Sequence, residues 1–407
     1  MLQLHEDPNF HFEALRTLGR APFSGADVGE ILNVLPKIRP RNFDDWFNEW
    51  HNLALRVLST IDESKHDSYS PVTLRAVYFR ASTYFFVAEF FLHGNPADPR
   101  IAQAYKLWTE YFDKANALLP IPGRRATVPT KHGFEVPLLI YRAAEASASS
   151  PRPTLILGGG FDSNMEELYH VYGCAALERG YNVVMYDGPG QHTLVREQNV
   201  GFIADWEKAV TPIVDYLVAG SKDELSFIDT EKMGLLGYSL GGYLAARAAA
   251  FEPRLAAVVC IDGVWKFDVP IFHAFPGSKA AWDNGDDAAL AEAFKIDPAT
   301  TPTGVRWMYD HLKFSFCTTS ARAIFDGVTK MTMAGIADRI KMPAFIGDAE
   351  EDIFFAGQPA RVAREIGPSA TLVKFSSEQA AGEHCSSGAF VYLNQQILEW
   401  FANVVGK

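Results

Sequence analysis

The sequence predicts an α/β protein: a mostly parallel sheet covered on both faces, preceded by a helical domain and interrupted by a helical insertion. Three observations predict it. Short, largely apolar runs such as TLILG, NVVMY and AAVVCI alternate with helix-length stretches, as buried parallel strands alternate with crossover helices. The stretch Met233–Pro253 joins an apolar run to an Ala-rich helix through Gly237-Tyr238-Ser239-Leu240-Gly241. Residues 1–122, by contrast, carry helical periodicity throughout.

The elements follow in order. Trp46, Trp50, Leu53 and Val57 recur at steps of four, three and four, one face of a helix. Pro71 opens a second helix that is apolar on more than one side and so should be well buried; Gly94-Asn95-Pro96 ends it. A third carries Ile101, Tyr105, Trp108, Phe112 and Ala115 on one stripe, read as core. After Pro120-Ile121-Pro122-Gly123 come a β-hairpin (ATVPT to FEVPLLIYR), the strand PTLILGGG and a helix over 164–179. YNVVMYDG is the next strand, then a helix over 204–219, the strand from Met233, its helix, and LAAVVCIDG. Residues 265–340 break the alternation with short helical patterns and many aromatics, which predicts a lid or cap. MPAFIGD, a helix over 357–366, TLVKF and a closing amphipathic helix restore it over 341–407. The expected domains are therefore 1–122, a core of 123–264 plus 341–407, and a cap of 265–340.

Bulk properties narrow the function. A net charge of −12 disfavours nucleic acid or an anionic membrane surface as partner. No apolar run is long enough to span a bilayer, and MLQLHEDPNF resembles no secretory signal. The four cysteines lack metal-site spacing, and Cys260 falls in an expected central strand. A reducing, cytoplasmic setting with no metal and no cofactor is the expectation. The triplet Gly158-Gly159-Gly160 departs from Gly-x-Gly-x-x-Gly because Ser163 holds the last position, which disfavours a dinucleotide.

The serine turn needs partners. A strand-to-helix turn holds its serine hydroxyl above the sheet, and an acid and then a histidine are expected further along the chain. In the acid slot Asp348, Glu350, Glu351 and Asp352 compete; Asp352, at the end of the loop, is preferred and Asp348 is its rival. Of the 11 histidines only His384 follows the last strand, so it is the expected base. Leu240 and Phe161 are the expected backbone N–H donors to an oxyanion. Asp162, Tyr238 and Trp265 are candidates for substrate contact. His273 and His311 lie in the cap and could line a pocket, but the simpler reading makes them solvent-facing, and spacing selects neither Asp262 nor Asp268 for any role.

The segments GGGFDSNMEELY, YDGPGQ, GYSLGGYLAARAAAFEPRLAA and GDAEEDIFFAGQP with GEHC, over residues 155–390, resemble one branch of the α/β-hydrolases. That branch has a helical N-terminal domain. It includes 2,6-dihydroxypseudooxynicotine hydrolase, fermentation-respiration-switch-like esterases and fungal polyketide- and pigment-pathway hydrolases. The resemblance implies the α/β-hydrolase fold, Ser239 as nucleophile, Asp352 as acid and His384 as base. It implies a site between core and helical regions, and it favours a homodimer.

Three functions follow as expectations. The first is serine hydrolysis of an ester, thioester or 1,3-dicarbonyl C–C bond in a hydrophobic or aromatic, polyketide-like small molecule. The second is acyl transfer or cyclisation by the same serine, which a water-excluding pocket would favour. The third is non-catalytic ligand binding, against which the complete Ser, Asp, His order argues.

Overall fold

The computed structural model describes residues 2–406. They form two compact units. One comprises the chain up to Gly123 with 169–171 and 296–311; the other comprises 124–168, 172–295 and 312 onward.

The first unit is helical, with main helices Pro8–Leu18, Phe43–Leu58, Pro71–Glu89 and Pro99–Ala117. Their starts are written in the sequence: Asp7, Asn42, Ser70 and Asp98 each accept a backbone N–H of the first turn, and three of the four helices begin at proline. An aromatic core joins them. Trp46 packs against Phe10, Trp50 and Phe91 with ring centroids 4.6, 5.5 and 5.1 Å away, and its Nε1–H donates to the Val87 carbonyl. His311, expected at the surface, is instead buried. It stacks on Trp307 at 5.5 Å, and its Nδ1 lies 2.8 Å from Nδ1 of His93. Hydropathy alone assigns a histidine outward, but a stacked and hydrogen-bonded ring loses that preference. His273 is exposed.

The second unit is built on an eight-stranded sheet: β1 (Arg124–Pro129), β2 (Glu135–Tyr141), β3 (Arg152–Gly158), β4 (Asn182–Tyr186), β5 (Ile228–Tyr238), β6 (Ala257–Ile261), β7 (Ala344–Ala349) and β8 (Ala370–Phe375). The order is β1-β2-β4-β3-β5-β6-β7-β8. The hairpin β1–β2 and the β2–β4 pair are antiparallel, and every pair from β4 to β8 is parallel. Central strands are buried along their length, which explains their largely apolar runs. Gly158 pairs with Gly237 and Tyr238 with Ile261, so β3, β5 and β6 end level. The loops that follow them share one sheet edge, where open α/β sheets hold their ligands.

Local differences from the sequence reading have physical causes. β5 starts at Ile228, five residues before the apolar run, because its polar first half lies at the less buried end. The expected 164–179 helix is divided by a π turn at Tyr169–Gly173. The structure adds a short helix, His192–Gln198, whose barely two turns carry too little periodicity to read from sequence. The 265–340 segment holds the helices Asp268–Ala274, Ser278–Asp283, Asp287–Ala293, Thr303–Ser315 and Ala321–Lys330. Within it, residues 296–311 cluster with the helical unit.

Candidate active site

Ser239 stands between β5 and the helix Gly241–Ala249 with φ of 61°, left-handed backbone that costs a residue with a side chain about 1–3 kcal/mol. The sequence around it permits the turn. A Cβ on Gly237 would overlap the Gly241 carbonyl, and one on Gly241 would come within 2.7 Å of the Gly159 carbonyl oxygen. The Gly242 N–H, donating to the Ser239 carbonyl at 2.8 Å, closes the turn.

His384, in the loop after β8, reaches this serine: Nε2 lies 2.8 Å from Ser239 Oγ. Its other nitrogen, Nδ1, lies 3.0 Å from Oδ2 of Asp352. The Asp352 Oδ1 accepts the backbone N–H of Phe354 (2.7 Å) and Phe355 (2.8 Å), which orients the carboxylate and favours its charge. Phe354 and Phe355 flank the imidazole at 4.9 and 5.8 Å. Ser239, His384 and Asp352 thus form one hydrogen-bonded row. Asp348 lies inside β7, opposite Lys374 of β8.

A fourth group joins the row. Asp262, immediately after β6, has Oδ2 2.9 Å from the same Nδ1. It also accepts the Cys385 N–H at 3.3 Å. Sequence reasoning left Asp262 unassigned because its position fits no spacing rule; its place at the end of a strand adjoining β5 was the available signal. Asp268, the other unassigned acid, has Lys266 Nζ 3.4 Å from its carboxylate.

Burial and charge set the protonation states. Burial opposes the Asp352 charge, but the His384 ring, hydrogen bonds and the Phe355 N–H overcome it and hold the carboxyl well below the usual range. Burial first, then the Asp352 charge, pushes Asp262 up to about 7. Burial would lower His384; Asp352, Cys385 and hydrogen bonds to both acids reverse that and hold the imidazole well above its ordinary value.

The glycine loop after β3 presses on the serine turn. A Cβ on Gly160 would lie 2.9 Å from Ser239 Cβ and 3.0 Å from the Leu240 nitrogen. Gln191, the last residue of YDGPGQ, fixes this loop: its Nε2–H donates to the Gly160 carbonyl (3.0 Å) while its Oε1 accepts the Gly188 N–H (2.7 Å). The Ser163 hydroxyl accepts the Gly160 N–H at 2.7 Å. Phe161 is buried against Phe267 and Phe202, 5.3 and 5.9 Å away. The Asp162 carbonyl faces His192 Nε2 at 2.9 Å. Tyr238 is buried, its ring 5.7 Å from Tyr172, and Trp265 lies under the Arg361 guanidinium at 4.2 Å.

The chain is similar to known proteins in sequence and in fold. The esterase FrsA-like family matches residues 36–270. The chain is 31% identical over 421 residues to the hydrolase LUC6 of a Fusarium species, covering 100% of this chain and 99% of that protein. It is 30% identical over 350 residues to the 20-hydroxy-prefusarin hydrolase FUS2 of Gibberella moniliformis, covering 85% and 83%. The crystal structure of 2,6-dihydroxy-pseudo-oxynicotine hydrolase superposes with a TM-score of 0.71 at 21% identity, covering 95% of each chain, a likeness of fold. The matched span contains the serine turn and β6 alike, and the chain belongs to the FrsA-like esterase family of α/β-hydrolases.

Proposed function

We propose that this α/β-hydrolase is a serine hydrolase whose nucleophile is Ser239, with His384 as base and Asp352 as the acid that orients it. The observation that carries the reading is the row from Ser239 Oγ to His384 Nε2 (2.8 Å) and from Nδ1 to Asp352 (3.0 Å). In this mechanism Nε2 takes the hydroxyl proton as Oγ attacks a substrate carbonyl carbon. The backbone N–H groups of Leu240 and Phe161 receive the oxyanion. Collapse expels an alkoxide, a thiolate or, from a 1,3-dicarbonyl, an enolate, which takes the proton back from His384. Water, deprotonated by the same nitrogen, then releases the acid.

The substrate class is a hydrophobic or aromatic, polyketide-like small molecule. Phe161, Phe202 and Phe267 beside the glycine loop support it, as does the 20-hydroxy-prefusarin named for one relative. Labelling with a fluorophosphonate, mapped by mass spectrometry, tests the nucleophile. An adduct on Ser239, with a loss of roughly 10³-fold or more in Ser239→Ala, is the expected result. Full turnover by Ser239→Ala would refute it.

A further inference from the structure

We infer that Asp262 is a second acid partner of His384, so that Nδ1 is held between two carboxyl groups from two strands instead of one. The inference rests on the reading of Ser239 as nucleophile and His384 as base. The geometry is nearly even: Oδ2 of Asp262 lies 2.9 Å from Nδ1 and Oδ2 of Asp352 lies 3.0 Å from it. Their side chains are 1% and 2% exposed, so water screens neither. Each arrives independently, Asp262 at the end of β6 and Asp352 in the loop after β7.

Two carboxyl groups this close in a dry site cannot both hold full charge, and one keeps a proton. The donors decide which. Asp352 accepts two backbone N–H groups at 2.7 and 2.8 Å, whereas Asp262 has one at 3.3 Å and the Cys385 thiol at 3.6 Å. The charge therefore rests on Asp352, and Asp262 carries the shared proton, which bridges to Asp352. The titratable groups facing Asp262 are Asp352, His384 and Cys385 from the loops after β7 and β8, and Tyr172 from the helical stretch after β3. Burial keeps both the thiol and the phenol neutral.

When Ser239 passes its proton to Nε2, the ring becomes positive while Nδ1–H stays between the two acids. Asp352 offsets that charge directly. Asp262 fixes the ring and, once its own proton leaves, adds a second negative charge. That extra charge raises the affinity of His384 for a proton.

Asp262→Asn keeps the shape and removes the titration. Its kcat is expected to fall about 10–100-fold, short of the roughly 10⁴-fold lost when the sole acid of a triad is replaced. The acid limb of kcat/KM is expected to move to lower pH, because the ring loses a source of negative charge. Asp352→Asn is expected to keep more activity than the residual left by a roughly 10⁴-fold loss, the cost in a triad with a single acid. The double variant is expected to fall to the level of His384→Ala. An Asp262→Asn enzyme with unchanged kcat and acid limb would overturn the inference. Should that variant not fold, proton NMR of the Nδ1–H in the wild-type protein decides: two coupled titration steps support the pair, and a single step overturns it. Failure of Ser239 labelling would instead refute the nucleophile and leave the NMR result standing.

Discussion

Gly242 lies so close to Asp262 that a Cβ on the glycine would overlap the Asp262 carbonyl oxygen. The first turn of the helix after Ser239 is thereby packed directly on the end of β6. Adding even a methyl group must push these two backbones apart, moving both Ser239 and the Asp262 carboxyl. Gly242→Ala should cost at least about 1–3 kcal/mol, the range for overpacking, because the obstacle is backbone and cannot rotate away. Activity should fall more than tenfold where the variant remains folded. Urea unfolding together with kcat on any ester turned over by the wild type measures both. Wild-type stability and activity would show that the two backbones are not in contact.

The second prediction separates the two rival acids. Asp348 lies in β7 and is half-buried; burial raises its carboxyl while Lys374 opposes that rise. Of these two rivals it is Asp352 whose carboxylate meets Nδ1. Asp348→Asn should leave kcat/KM within about threefold of wild type, as for substitutions away from the reacting groups, while Asp352→Asn should lower kcat by at least about 100-fold. Steady-state kinetics on the two purified variants decides, and the reverse order would remove Asp352 from the mechanism.

The sheet and the serine turn were legible because their causes are local. Strands buried on both faces are apolar along most of their length, and a serine at φ of 61° between close-packed elements needs the glycines at 237 and 241. His384 was legible by position, being the histidine after the last strand. Asp262 was not. Its proximity to His384 comes from β6 lying between β5 and β7, a relation between strands that no spacing along the chain encodes. The same holds for Gln191, whose hydrogen bonds tie the loop after β4 to the loop after β3. The buried His311 escaped because its partners, His93 and Trp307, include a residue 218 positions away.

Cysteine reactivity provides a third check. Cys385 adjoins the base, its sulfur 3.4 Å from His384 Nε2, which invites a reading as an activated thiol. Burial, then the charge of Asp262, instead pushes its pKa up, and burial pushes Cys260 up to about 12. Cys174 and Cys317 are partly exposed. Brief treatment of the native protein with iodoacetamide at pH 8 should therefore modify Cys174 and Cys317 first, leaving Cys260 and Cys385 intact. Peptide mass spectrometry reads the order. Early alkylation of Cys385 would mean that its thiol is accessible and ionised, contrary to the structure.

Asp187 supplies a stability prediction. It follows β4 in YDGPGQ and is fully buried, with Oδ2 accepting the Thr193 N–H (3.2 Å) and hydroxyl (2.7 Å). Its Oδ1 has no partner among the described residues. Burial, then the charge of Glu166, pushes its pKa up to about 7. The folded protein thus holds a proton that the unfolded chain, with a carboxyl near the usual ~4, has released. The contribution of Asp187 to stability therefore falls as pH rises from about 4 to about 7, by up to roughly 4 kcal/mol, at about 1.4 kcal/mol per unit. Asp187→Asn cannot titrate and escapes this loss. Asp262 titrates in the same direction over the same window, but it does so in both proteins and cancels from their difference. The stability of Asp187→Asn relative to wild type should therefore rise by on the order of 1–3 kcal/mol between pH 5 and pH 8. Urea melts of both proteins at the two pH values measure it. A difference independent of pH would show that Asp187 is already ionised in the folded protein at pH 5.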